Sequence, residues 1–385
     1  MKSFLSLIVF LIIIIGPFFS VMPIADAILF RTAYGLVVLS SAFLVTKKQL
    51  PMKNIITLLI FALIIGAIPF IVKRENLFLM QIIYSGLLGW LAYRYLRFSS
   101  AFLWFFWVLY GYFIYYWVVN RTLDDVFATV KNGIEAGTGR NYVGIVMLHL
   151  YLVYYTLCIH QNIKPNHRPI FIMPIIAILS AGVSSTISTL LLLGIYLINF
   201  FWSNKMKGLM VIIATVSLGY YFQDFFLSTE LNYRLTHHNI GDDRGYIWTD
   251  FLDQMDSESF WFGFRQGIAF SPNLQGIVDS NYLANAHNSY LNLYYDVGIF
   301  SALYFVFIAY VAYKILLKNS MLFIVFMVTL FRAISDGYYF STFIIDFELF
   351  YLFLITRPES RFVSAYSNRP RHIKIIPSHQ GKGYL

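Results

Sequence analysis

Along most of this chain the apolar residues come in runs of roughly 17 to 22, the length an α-helix needs to cross the ~30 Å hydrocarbon layer of a bilayer. That one feature leaves few folds open. Of the 385 residues, 59% are hydrophobic and 12% charged, about half the charged share of a water-soluble domain, so a soluble enzyme is excluded. The short alternating segments of an outer-membrane barrel are absent from the sequence, so the spans are expected to be helices that pair their backbone groups internally. Cys158 is the single cysteine and sits inside an apolar run, which excludes a disulfide or a cysteine-ligated metal within the chain.

Hydropathy therefore predicts an all-α, polytopic helical membrane protein of about twelve transmembrane helices, with a large late periplasmic loop containing a short amphipathic helix. The spans are read near 4–22, 28–45, 54–72, 76–96, 100–119, 141–160, 169–183, 185–202, 208–226, 288–314, 320–336 and 341–356. The stretch from Pro169 to Trp202 is too long for one span and short for two. Charge decides it: Lys164 and Arg168 precede it and Lys205 and Lys207 follow, so the chain crosses and returns through a tight turn near Gly182 to Ser185. With the N-terminus inside, the cytoplasmic loops hold Lys47, Lys48, Lys53, Arg94, Arg97, Lys314 and Lys318, and the tail adds Arg357, Arg361, Arg369 and Arg371. The net charge of +9 is then a topology signal and points to no nucleic acid. Lys2 before the first run and Ala25-Asp26-Ala27 after it resemble a signal peptide, but the run is longer than a usual signal core and reads as the retained first span. The expected units are transmembrane helices 1–9 over 1–226, a periplasmic loop over 227–287, helices 10–12 over 288–356, and a basic cytoplasmic tail over 357–385.

Two segments outside the membrane are long enough for chemistry: Asn120 to Arg140, and Leu227 to Ala286. The second has no lysine, yet it keeps Arg234, Arg244 and Arg265 among many acids. Guanidinium is the group suited to bidentate phosphate or carboxylate binding, although each arginine could instead pair with a neighbouring aspartate on a solvated face. From Asp242 the order Asp243, Arg244, Gly245, Tyr246, Ile247, Trp248, Phe251, Leu252 and Met255 gives an apolar face at helical spacing. It is expected to lie on the membrane surface with Arg244 and Trp248 one turn apart, its wet face carrying Asp250, Asp253 and Asp256. The loop ends in His287-Asn288-Ser289-Tyr290-Leu291 and enters the next span. Asn288 suits a helix N-cap; His287 at that boundary could accept a proton or bind a phosphate oxygen beside the helix dipole. Most tyrosines and tryptophans are assigned to interfacial belts, with Trp248, Trp261 and Tyr290 singled out for glycan contact.

The ordered runs Arg244-Gly245-Tyr246-Ile247-Trp248, Trp261-Phe262-Gly263-Phe264-Arg265-Gln266-Gly267, and His287-Asn288-Ser289-Tyr290-Leu291 through Gly298-Ile299 resemble the pattern of the bacterial O-antigen polymerase and ligase family. The resemblance covers about sixty residues at motif level and, in architecture, most of the chain. It implies a glycosyltransferase of the bacterial inner membrane, multi-pass, with its active site facing the periplasm. The donor would be an undecaprenyl-diphosphate-linked glycan, the acceptor a second such glycan, with no nucleotide sugar, no cofactor and no metal. The bilayer and a chain-length regulator would be its other partners. Carried over by position, Arg244, His287 and Asn288 form the pyrophosphate and catalytic region, with Arg234 and Arg265 as companions. Ligases of the family often show a Ser-Arg step between the seventh and eighth spans. Here Leu179-Ser180-Ala181-Gly182-Val183-Ser184-Ser185-Thr186 has no arginine, which favours polymerase over ligase.

Arg140 with Asn141 at the start of the sixth span, and Arg332 at the outer end of the eleventh, are further substrate-binding candidates, although arginines at helix ends also snorkel with no other role. Glu230 and Asp336 compete with His287 as the base. A metal site at His237, His238, Asp242 and Asp243 is disfavoured because adjacent histidines rarely project to one ion. Asp296, Asp346 and Glu348 inside spans support a rival reading as a lipid-linked oligosaccharide transporter, against which stands the absence of paired broken helices in two matching halves. A structural membrane subunit would need neither the periplasmic arginines nor the His-Asn pair.

Overall fold

The structure is a computed structural model that describes residues 2–19, 77–120, 142–179, 183–203, 242–264, 288–334 and 343–356, with isolated positions at 60, 64, 67 and 71. Among these the regular structure is helical, without a strand. The expected spans at 28–45, 54–72 and 208–226 lie wholly or largely outside the described residues.

Helices α1 (Lys2–Phe19), α2 (Leu77–Tyr95), α3 (Ser99–Asn120) and α4 (Tyr142–His160) fall where the first, fourth, fifth and sixth spans are predicted. Helices α5 (Arg168–Leu179) and α6 (Val183–Ser203) pack on each other as a hairpin, as the basic residues flanking this stretch require. Then come α7 (Asp242–Asp253), α8 (Ser257–Phe262), α9 (Ser289–Val297), a 3-10 turn (Gly298–Phe300), α10 (Ser301–Lys318), α11 (Ser320–Ala333) and α12 (Phe343–Thr356). Helix α12 packs on α2, α4 and α10, while α11 packs on α4, α6 and α10.

Among the described residues, two stretches are long and apolar enough to cross a membrane: Val183–Trp202 in α6, and Ser289–Lys318. The second is not one straight rod. In a continuous helix Tyr290 and Phe305 would lie ~22 Å apart along the axis, yet their ring centroids are 5.7 Å apart. The reversal is at Gly298, whose φ of +59° is a conformation side chains rarely adopt. The predicted single span 288–314 is therefore corrected: α9 folds back beside α10, and α10 alone, 18 residues or ~27 Å long, has the length to cross.

One end of the bundle gathers basic residues. There Lys318 Nζ donates to the Ile355 carbonyl at 3.0 Å and the Gln161 amide to the Arg97 carbonyl at 3.2 Å. At the same end the His167 ring faces the Tyr151 hydroxyl at 3.4 Å, and burial, then the charge of Lys164, hold His167 below its ordinary pKa. At the opposite end the starts of α4 and α6 meet, and α9 reaches the last turns of α11 through Tyr290. Helices α4 and α6 touch closely there, because Gly144 leaves room for Ser185.

Candidate functional site

At that opposite end α9 begins inside the protein. Asn288 is its N-cap, as its residue type predicts: the side-chain oxygen accepts from the backbone N–H groups of Tyr290 at 2.9 Å and Leu291 at 3.2 Å. Asn288 and Ser289 are both buried, so a helix N-terminus, with its partial positive charge, starts out of contact with bulk water. Tyr290 then donates its hydroxyl to the Leu330 carbonyl of α11 at 2.9 Å. Two residues further along α11 is Arg332, 0% exposed and among the largest fully buried side chains of the described residues. A snorkelling arginine would reach for water. This one does not: Arg332 is enclosed by the bundle on the same helix, α11, whose Leu330 carbonyl receives Tyr290.

The loop helices are fastened above it through two glycines. Gly263 has φ +77° and lies against the Tyr295 carbonyl, while Gly298 lies against the Trp261 carbonyl and the Gly263 amide; a Cβ on Gly298 would be 2.5 Å from that carbonyl oxygen. Around this contact the Phe264 amide donates to the Tyr295 carbonyl at 2.9 Å, their rings stack at 5.5 Å, and the Tyr294 hydroxyl donates to the Phe260 carbonyl at 2.9 Å. Helix α8 starts in a capping box: the Ser259 backbone N–H donates to Asp256 Oδ1 at 2.6 Å, which holds the Asp256 carboxyl below the usual aspartate range.

Helix α7 forms where the apolar spacing predicts it, with Arg244 in its first turn and half-buried Trp248 one turn later. Its buried face is Ile247 and Phe251, and the Phe251 ring packs on Phe264 at 5.0 Å. Ile247 and Phe251 are turned into the protein, while Tyr246 and Leu252, 50% and 53% exposed, remain on the outside of α7. Arg140, Asn141, Glu230, Arg234, Arg265, His287 and Asp336, together with the histidine pair His237 and His238, lie outside the described residues. Asp346 is in the first turn of α12, and Asp296 is half-buried in α9.

Sequence reasoning missed one pair. His149 Nδ1 on α4 and Glu348 Oε1 on α12 are 2.9 Å apart, with 0% and 1% of the side chains exposed. Their second atoms, His149 Nε2 and Glu348 Oε2, have no hydrogen-bond partner among the described residues. Glu348 was legible as an ionisable residue in an apolar helix, but nothing in the chain order links it to His149. Near the start of α6, Ser188 and Thr189 are buried and donate to the carbonyls of Ser184 and Ser185 at 2.7 and 2.8 Å, so these hydroxyls serve their own helix first. No group of three or more His, Cys, Asp or Glu residues that could hold a metal ion is found among the described residues.

Comparison with curated proteins gives no match, and comparison with solved structures gives none either. A family model described as O-antigen ligase matches residues 169–306, a segment that runs from the first turn of α5 into α10 and contains Arg244, Trp248, Gly263, Asn288, Tyr290 and Gly298. Over residues 169–306 the match supports the resemblance to the O-antigen polymerase and ligase family that these residues carry.

Proposed function

We propose that the protein lengthens O-antigen or a related surface polysaccharide, transferring glycan from an undecaprenyl-diphosphate-linked donor to an acceptor repeat unit at the periplasmic face of the bacterial inner membrane. The observation that carries this reading is the buried start of α9, capped by Asn288 and tied through Tyr290 to the helix that holds the wholly buried Arg332. Cation and helix N-terminus in a dry setting suit a diphosphate, whose charge they stabilise more strongly there than in water. In this reading residues 227–287 form the site-bearing loop between two sets of spans, 1–226 and 288–356, with the tail 357–385 on the cytoplasmic side.

The acceptor hydroxyl oxygen attacks the anomeric carbon of the donor. The bond from that carbon to the diphosphate oxygen breaks, and undecaprenyl diphosphate leaves with the electron pair. His287 takes the proton of the hydroxyl, while Arg244 and Asn288 hold the departing diphosphate. Arg140, Arg234, Arg265 and Arg332 add positive charge around it, and Trp248 and Tyr290 offer rings to the sugars. No metal and no cofactor enter this scheme.

Ligation of the glycan to lipid A-core is the second reading, favoured by the description of the matching family as O-antigen ligase. The arginine-free stretch Leu179 to Thr186 favours polymerisation instead. A gel of surface lipopolysaccharide and of lipid-linked glycan, from a strain lacking the gene, separates the two. Cores carrying a single repeat unit support polymerisation. Bare cores with long glycan retained on undecaprenyl diphosphate would replace it with ligation, and an unchanged ladder would overturn both. Arg244→Ala and His287→Ala are expected to abolish chain growth while membrane insertion persists; normal polysaccharide from both would remove the site assignment.

A further inference from the structure

Helix α8 divides its residues by chemistry. Its start, Asp256, Ser257 and Glu258, is polar and exposed; its end is Phe260, Trp261 and Phe262, which are 41%, 54% and 41% exposed. Three exposed aromatic side chains in succession outside a span call for a covering. The backbone beneath them is fixed: the Phe260 carbonyl accepts from Tyr294, the Trp261 carbonyl rests on Gly298, and the Phe260 and Trp261 rings meet edge to face at 5.5 Å. The backbone that carries these exposed rings is therefore fixed to the α9–α10 turn.

Their height relative to the bilayer follows from what they rest on. Gly298 opens the turn that leads into α10, and α10 is the segment of bilayer length. Helix α10 shows the outside an apolar row at helical spacing, Leu303, Val306, Tyr310, Tyr313 and Leu317, as a lipid-facing side must. Helix α8 thus sits at the level where that row begins, which is the boundary between hydrocarbon and headgroups. Exposed tryptophan and phenylalanine rings beside carboxylates on one short helix are the residue types of that boundary, where an apolar body and a charged group both find their solvent.

We propose that Phe260, Trp261 and Phe262 form an interfacial anchor that seats α8 in the outer edge of the lipid leaflet and so sets the height of the α7–α9 unit over the membrane. The ligand is a lipid surface, and the proposal holds whether or not the glycosyl transfer above is correct. It gives the membrane contact expected of α7 to α8, and it takes Trp261 out of the set of glycan-stacking rings.

The full-length chain, reconstituted into phosphatidylcholine vesicles with acyl chains brominated at defined depths, tests this by tryptophan fluorescence. Subtracting the emission of Trp261→Phe from that of the unaltered protein isolates Trp261, and the phenylalanine keeps a ring in place so that the fold is preserved. Quenching severalfold stronger by lipid brominated near the carbonyl end than by lipid brominated near the methyl end, with little quenching by acrylamide in the water, is expected. Replacing Phe260 and Phe262 together by serine should weaken that lipid quenching. Trp261 emission quenched by acrylamide and untouched by every brominated lipid would overturn the anchor.

Discussion

Helix α4 and the α9–α10 pair both place polar groups inside an apolar bundle, and they do it in opposite ways. Helix α4 is unbroken from Tyr142 to His160, every residue from Gly144 to Cys158 is buried, and the histidine in its middle, His149, is met by a carboxylate from α12. The stretch from Ser289 to Lys318 is broken instead: Gly298 turns the chain back, and the polar groups are the first N–H groups of α9, met in part by Asn288. An unbroken helix has no spare backbone donors in its middle, so only side chains can bring charge there. A helix that begins inside the protein, as α9 does at Ser289, brings its first N–H groups with it, and the reversal at Gly298 folds that start back beside α10. Where a protein must hold an anion away from water, a helix start folded into the protein supplies donors that side-chain pairing does not, and such backbone survives at that depth only when protein covers it.

The largest effect is expected from the unbroken helix. Glu348→Ala leaves His149 buried without its partner, a loss of about 3–5 kcal/mol in the melting of the detergent-solubilised protein. Replacing both residues by leucine should cost distinctly less, because neither polar group is then stranded. Equal losses in the single and double variants would mean that the pair does not act as a unit.

In the broken stretch, Gly298→Ala forces a side chain into a positive-φ backbone and against two backbone neighbours, a cost of about 1–3 kcal/mol from the conformation alone. It should unseat α8 and abolish chain growth. Gly194→Ala, in α6 with open space around it, is the control and should change neither property. If both substitutions behave alike, the reversal at Gly298 carries no special load.

Smaller again is Asn288→Ala, which removes the cap of α9 at about 1 kcal/mol. It sharpens the comparison because the readouts divide: polysaccharide length should fall far more than the melting temperature if the start of α9 faces the substrate. The smallest effect is a pH dependence. The Asp256 carboxyl is held below its usual value in the folded protein, so its cap on α8 is fully present above the ordinary aspartate value and is lost as pH falls through the lowered one. Lipid quenching of Trp261 should weaken over that acid window, and Asp256→Asn, which has no such proton to gain, should remove the change.

Composition and periodicity were enough to tell that this chain is helical and apolar, where α1 to α6 lie to within a few residues, that the chain turns near Gly182 to Ser185, and that the segment from Asp242 is amphipathic. These are local consequences of residue type, because hydrophobic runs and caps act within one segment. The motif residues of the candidate site were legible for the same reason: Arg244, Trp248, Asn288 and Tyr290 lie in ordered runs with helix-start chemistry. Hydropathy read straight through the break at Gly298, since the residues on both sides are equally apolar and backbone direction leaves no trace in an apolar count. Periodicity likewise tells which residues of α7 share a face but not which of them protein covers: Phe251 packs on Phe264, while Leu252 stays exposed. The pairing of His149 with Glu348, nearly two hundred positions apart, and the complete burial of Arg332 were decided only by how the helices pack, since a buried charge is a property of its neighbours and not of its place in the chain.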